Sequence, residues 1–462
     1  MNNLNALTVD LFLYDLCDGL GIKPEEAKKT RQQFWQRLYP DLTEHPPAQI
    51  KETKTYFADY VELLADKQCE LFTDSVDGYY YPVQLSDTYA LQVDSSGGEE
   101  VDKFAAPPEA IETISTDIIK NRIHDQHGKL GESWLIWGQL SNPEQTAEAT
   151  AKACYQALSS GQNKSLDWSQ NYIGRGTLNG ATLYELQQLD TISDGENNNH
   201  HVLICLFPAE QNLEQAQATM EKLYRHLIRL FQYRSKILWL YEESRRLKGD
   251  LKEAAETVNR LVSALSANVN KPSINLPTQQ QQLSDALIAS NIYEKRLNYL
   301  RGKETEIETN LYSYCDRLAR IETTNEPADL DFLNHFVTLT KNKYLRQIQA
   351  DTAAFESALK PLGNFIQTVQ GITDIERSHN ERVLNQTVAI AGVGISVASL
   401  AAASLSNQAD AIIQSWRPIP EGQPPSAVNL WLSAALILLV SIAVGGLAAL
   451  ITSALVHRKT KS

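Results

Sequence analysis

The chain has 462 residues, 43% of them hydrophobic and 21% charged, which excludes both a single small module and a disordered polymer. Its 42 Lys and Arg against 56 Asp and Glu leave a net charge of −14, which argues against a nucleic-acid partner, since phosphate calls for a basic footprint. Residues 1–120 hold 22 acids and 10 bases, a balance of −12, so the excess is concentrated at the N-terminal end.

In chain order, the first segment, MNNLNALTVDLFLYDLCDGL, carries Asp10, Asp15 and Asp18 within its apolar stretch and has no basic leader, so it does not read as a signal peptide. Residues 1–72 read as helical. Pro24-Glu25-Glu26 offers a helix start, and Phe34, Leu38, Tyr56, Tyr60, Leu63 and Leu64 recur near helical spacing. At Gly78 the period changes to two. Tyr79, Tyr81, Val83 and Leu85 alternate, as do Tyr89, Leu91 and Val93, which predicts a β-hairpin. Ser95–Pro108, with paired Gly and paired Pro, predicts a loop.

A helix near Pro108–Ile123 then leads to a strand at Trp134–Trp137. A second helix runs from Asn142-Pro143 through Leu158, and strands follow at Leu183–Leu189 and His201–Phe207. That order implies one mixed sheet with helices packed on it. Ile173–Gly180 is rich in glycine, but the third Gly falls one place late for a dinucleotide fingerprint and polar sequence precedes it, so a plain turn is expected. His124 and His127 read as a solvated helix end, and His200 and His201 as surface residues of an asparagine-rich loop. The five cysteines have neither metal-ligand nor disulfide-framework spacing, which suits a reducing compartment. No nucleophile elbow, zincin helix or Walker loop is present, so no enzyme is expected.

From Leu213 the pattern becomes that of long helices. Leu247, Leu251, Ala254, Val258, Leu261 and Leu265 step 4-3-4-3-4, and Ile307, Leu311, Tyr314, Leu318 and Ile321 form a second seam. A linker at Asn270–Gln282 separates the two helices. A third is expected to start at Asn325-Glu326-Pro327 and to run on through Ile348 and Phe355, with a kink at Pro361.

The last quarter is different in kind. Val383–Ala409 is 27 residues without an ionised side chain, and Gly422–Val456 is 35. Roughly 20 helical residues cross a bilayer, so two transmembrane helices are expected. Arg377 and Arg382 before the first, and Arg458, Lys459 and Lys461 after the second, place both termini in the cytoplasm by the positive-inside rule. Asn385, Ala389, Gly392, Ser396, Ser399, Ala403 and Ser406 fall on one face of the first span, all small or polar. Taken alone, that stripe fits close helix packing better than a pore face, although both are open. Two spans cannot enclose a channel, so a pore requires a homo-oligomer.

The order of parts resembles that of the CorA-like magnesium and divalent-cation transporters. The corresponding pieces are the part through Phe207, the helices from Leu213, the segment DIERSHNERVLNQTVAIAGVGIS, and the tail His457-Arg458-Lys459-Thr460-Lys461. The resemblance implies an α+β cytosolic head with a mixed sheet (1–212), a long helical stalk (213–382) and a C-terminal two-helix transmembrane hairpin with a basic tail (383–462). It implies a homo-oligomer, with a pentamer favoured, in the cytoplasmic membrane. It implies an ion path lined by the stripe and Asn407, gated by the head. A divalent cation would be ligand or substrate, and no other cofactor is expected; the sequence names no metal ligands. The family's Gly-Met-Asn signature is absent, its place taken by Leu405-Ser406-Asn407-Gln408-Ala409. That departure keeps a second expectation open, a non-conducting membrane-anchored scaffold or sensor with a ligand-binding head.

Overall fold

A computed structural model of the chain describes residues 2–19, 23–42, 51, 59–73, 76–96, 105–162, 166–188, 199–269, 276–325 and 327–357. The chain divides into two units, Met1–Lys360 and Pro361–Ser462, and the second lies outside the described residues. Both expected membrane spans therefore lie outside them too. Among the described residues no helix is long and apolar enough to cross a membrane.

The described unit is α+β, built on one ten-stranded mixed sheet in the order β10-β7-β8-β9-β6-β1-β5-β4-β2, with β3 also paired to β4. The strands are β1 (Leu4–Leu16), β2 (Val61–Glu62), β3 (Glu70–Thr73), β4 (Asp77–Leu85), β5 (Thr88–Ser95), β6 (Gly131–Leu140), β7 (Tyr172–Leu178), β8 (Ala181–Gln188), β9 (His200–Phe207) and β10 (Ala328–Asp329). Among the described residues only β6 and β9 pair in parallel; α3 (Ala147–Gly161), α4 (Trp168–Asn171) and the β7–β8 hairpin lie between them in sequence. The hairpin expected from the alternation after Gly78 is β4–β5, closed at Ser86 and Asp87.

Both faces of the sheet are covered. On one, Val9, Leu11, Leu13, Leu91, Val93, Trp134, Ile136, Val202 and Ile204 pack against α1 (Pro24–Leu38), α2 (Ala110–Asp117) and α3 through Phe34, Trp35, Ile111, Ile114, Cys154 and Leu158. On the other, Phe12, Tyr14, Leu135, Trp137, Leu203 and Cys205 meet α5 (Leu213–Val269) and share a cluster with α6 (Leu276–Thr324). Each large side chain so buried contributes about 1.5–3 kcal/mol.

This double cover explains the main correction. Residues 4–16, expected to be helical, form the central strand β1, and β2 and β3 are strands as well. A strand buried on both faces has no polar alternation to reveal it, and β1 reads as a nearly continuous apolar run. The helix expected at Pro24 is α1, with Pro at its start and Glu25 and Glu26 in its first turn. It is clamped to β1 by Arg37, whose guanidinium donates to Asp15 Oδ2 at 2.5 Å, to the Gln126 carbonyl at 2.8 Å and to the His127 carbonyl at 2.9 Å.

The glycine-rich segment at 173–180 is not simply a turn, because most of it is strand β7. Gly174 and Gly176 lie under Phe332. A Cβ on Gly176 would run into the Asp329 carbonyl oxygen and come within 2.7 Å of the Phe332 ring, so glycine here serves close packing rather than phosphate.

The long helices follow the seams. Leu251, Ala254 and Val258 of α5 are buried, as are Ile307, Leu311, Tyr314, Leu318 and Ile321 of α6. After β10 and a 3-10 turn at Asp331–Leu333, α7 (Asn334–Leu339) passes through a π turn (Thr340–Leu345), and the chain stays helical to 357. This third helix lies against both partners. Asp351 pairs with Lys248 at 2.6 Å and Arg245 at 3.4 Å, Glu356 pairs with Arg301 at 2.6 Å, and Tyr344 stacks on Tyr241.

Candidate functional site

Of the residues expected to line a pore, Asn385, Ala389, Gly392, Ser396, Ser399, Ala403, Ser406 and Asn407 all lie outside the described residues. Two groups of buried polar side chains lie between the sheet and α5.

The first is a carboxyl pair. Asp10 of β1 and Asp94 of β5 face each other across adjacent strands, both buried. The Tyr224 hydroxyl of α5 lies 3.2 Å from Asp10 Oδ2 and 3.1 Å from Asp94 Oδ2, and it accepts from Trp137 Nε1 at 2.8 Å. Gln92 Nε2 donates to Asp10 Oδ1 at 2.8 Å. Burial, then the neighbouring Asp94, holds the Asp10 carboxyl well above the usual carboxylate range, and burial pushes Asp94 up to about 6. Two carboxyls this close in a dry site cannot both ionise readily, so the pair holds on to a proton.

The second group lies on β6, β8 and β9. His201 Nδ1 hydrogen-bonds the Ser133 hydroxyl at 2.9 Å, and its Nε2 donates to Glu185 Oε1 at 3.2 Å. Burial, then the Arg234 charge, pushes the His201 imidazole down to about 4, so it is neutral at physiological pH. Arg234 comes from α5. Its guanidinium lies over the Phe336 ring at 4.4 Å, and its Nη2 is 3.9 Å from Glu185 Oε1, outside hydrogen-bond reach. Ser133, Gln187, His201, Arg234 and Ser235 line a small recess that is partly open to solvent. Gly131 opens β6 beside it with a φ of +149°, and a Cβ there would meet Ser235 at 2.9 Å, so glycine lets α5 approach the strand.

Ser133, His201 and Glu185 are the residue types of a nucleophilic relay. Ser133 is 1% exposed, however, and the serine bonds Nδ1 with the carboxylate on Nε2, the reverse of the Ser-His-Asp relay. The chain of bonds ties three strands together more readily than it attacks a substrate. Tyr224 and Arg234 are ten residues apart on α5, or about 15 Å. The helix is hydrogen-bonded to the sheet at Tyr224, through the Ile228 carbonyl to the Tyr14 hydroxyl and through Gln232 to Thr88, with Arg234 beyond them.

His200 and His201, expected at the surface, are both buried in β9. Their asparagine-rich surroundings end at Asn199, and the sheet is covered on both sides from there. His127 pairs with Glu132 at 2.8 Å, and among the described residues no group of three or more His, Cys, Asp or Glu is arranged to hold a metal ion. The five cysteines are all free. Arg234 was missed, although it had a signal: Leu227, Phe231, Arg234 and Leu238 step 4-3-4, which puts a permanent charge on the core face of α5.

Comparison with known proteins finds no matching family model, no matching curated protein and no matching solved structure.

Proposed function

We propose that the chain forms a homo-oligomeric, CorA-like membrane protein in which the sheet-bearing unit controls an ion path lined by the Asn385–Asn407 face. The observation that carries this reading is the single hydrophobic cluster that runs from Phe12 and Tyr14 of the sheet through Phe231 and Leu251 of α5 and Tyr314 of α6 to Ile348 of the third helix. A change at the sheet is thereby passed to the helix whose sequence leads toward the first uncharged run at Val383. The two uncharged runs supply the membrane hairpin, the lipid bilayer is a partner, and a divalent cation is the candidate substrate or ligand.

Reconstitution of the full chain into vesicles tests it. The protein should run in detergent as one species of several chains, a pentamer in the favoured form, and should pass magnesium, sodium or potassium. Ser396→Leu and Ser399→Leu should abolish flux while the oligomer stays intact. A monomer or dimer, or vesicles that conduct no ion with or without divalent cations, would refute the channel.

A second reading rests on Leu405-Ser406-Asn407-Gln408-Ala409, which stands where the family keeps its filter signature. In it the hairpin is an anchor and the sheet-bearing unit a sensor. Function that survives both leucine substitutions would favour that reading.

A further inference from the structure

Arg234 is 2% exposed and permanently charged, yet its Nε, Nη1 and Nη2 have no hydrogen-bond partner. Gln187 Nε2, on the same recess, is likewise buried without an acceptor. A buried donor left unmade carries the full cost of its desolvation, and a charged one carries more. Glu185 does not relieve Arg234, because it stands 3.9 Å away and receives His201 instead. The Phe336 ring satisfies one face of the guanidinium but none of its N–H groups. The recess thus brings together donors that lack an acceptor, with Ser133 and Ser235 hydroxyls beside them.

We propose that this recess binds a small planar oxyanion of single charge, a carboxylate or bicarbonate, on the Arg234 guanidinium. A guanidinium presents paired N–H groups at the spacing of two oxygens on one carbon, which a spherical halide does not match. Leu130 and Leu238 form apolar walls that leave space for only a few atoms. Glu185 nearby disfavours a second negative charge on the ligand. The bound anion would bridge α5 to the strands that carry Ser133 and Gln187, and so brace the helix against the sheet. The inference does not depend on whether the protein conducts ions.

The test uses the full chain in detergent at neutral pH. Thermal unfolding and calorimetric titration are followed with sodium formate, acetate and bicarbonate, against chloride and sulfate at matched ionic strength. A saturable rise in Tm is expected with the planar monoanions and not with the other two. Response to formate and acetate alone assigns a carboxylate; response to bicarbonate alone assigns that anion. Arg234→Lys should weaken binding about tenfold or more by removing the paired donors. Glu185→Gln, close in shape, removes the nearby negative charge and should tighten binding several-fold. Equal responses to chloride and formate would overturn the proposal, as would an unchanged affinity in Arg234→Lys. Should that variant fail to fold, an unchanged or weaker affinity in Glu185→Gln would overturn it alone.

Discussion

The two faces of the sheet are built on different terms. Under α1, α2 and α3 the contact is apolar through its centre, with Val9, Leu11, Trp134 and Ile204 against Phe34, Ile114 and Leu158. Under α5 the apolar cluster is broken twice, by Asp10, Asp94 and Tyr224 and by Glu185, His201 and Arg234. Apolar contacts stabilise without choosing a register, whereas a buried hydrogen bond works in one alignment only. The first face is therefore made for stability. The second fixes where a long helix sits, and it responds to whatever changes its polar groups.

Substitutions can break that contrast, beginning with the largest effect. Trp134→Ala removes a fully buried ring from the apolar face and should cost about 3–5 kcal/mol. Chemical unfolding should show that loss to be nearly the same at pH 5 and pH 8, and a strongly pH-dependent loss would erase the distinction between the faces. Tyr224→Phe keeps the ring but removes the hydroxyl between the two carboxyls, and should cost about 1–3 kcal/mol in the same measurement.

The pH dependence sharpens the contrast within the α5 face. Asp10 and Asp94 are raised in the fold, so their contribution is complete below the ordinary carboxylate range and is lost as pH rises, for Asp94 through about 6. His201 is depressed, so its contribution is complete above its ordinary value of 6.5 and is lost as pH falls toward about 4. The two groups oppose each other across the same window. Replacing both Asp10 and Asp94 by Asn should leave stability that rises with pH between 4 and 6.5, and His201→Gln should leave stability that falls with it. Parallel profiles in the two variants would contradict the assignment. The smallest effect belongs to Lys236, which reaches from α5 to Asp87 at the tip of the β4–β5 hairpin. Lys236→Ala breaks a partly buried pair at the hairpin tip and should cost about 1 kcal/mol, a loss that shrinks in high salt.

What the sequence made legible follows the same division. The seams of α5 and α6 are read without difficulty because one face of each meets water, and the β4–β5 hairpin announces itself by its alternation. β1 does not, because with helices on both sides Val9, Leu11 and Leu13 are as buried as Phe12 and Tyr14. Asp10 then looks like a charge on a helix, when its carboxyl is paired across the sheet. His201 depends on Ser133, Glu185 and Arg234, which lie 68, 16 and 33 positions away, and no local spacing shows that they meet. Arg234 alone left a trace, as a charge on an otherwise apolar helical face.

The margins of the sheet carry one more consequence. β10 adds only two residues to β7, with Phe332 laid over Gly174 and Gly176, and β2 and β3 are short pieces along the outer side of β4. An open strand is a template on which another chain can build, and it is the usual starting point of aggregation. Here both templates are blunted by fragments too brief to be extended. Among the described residues, therefore, the sheet's margins favour contact between copies through side chains on helices and loops over lengthening one another's sheet.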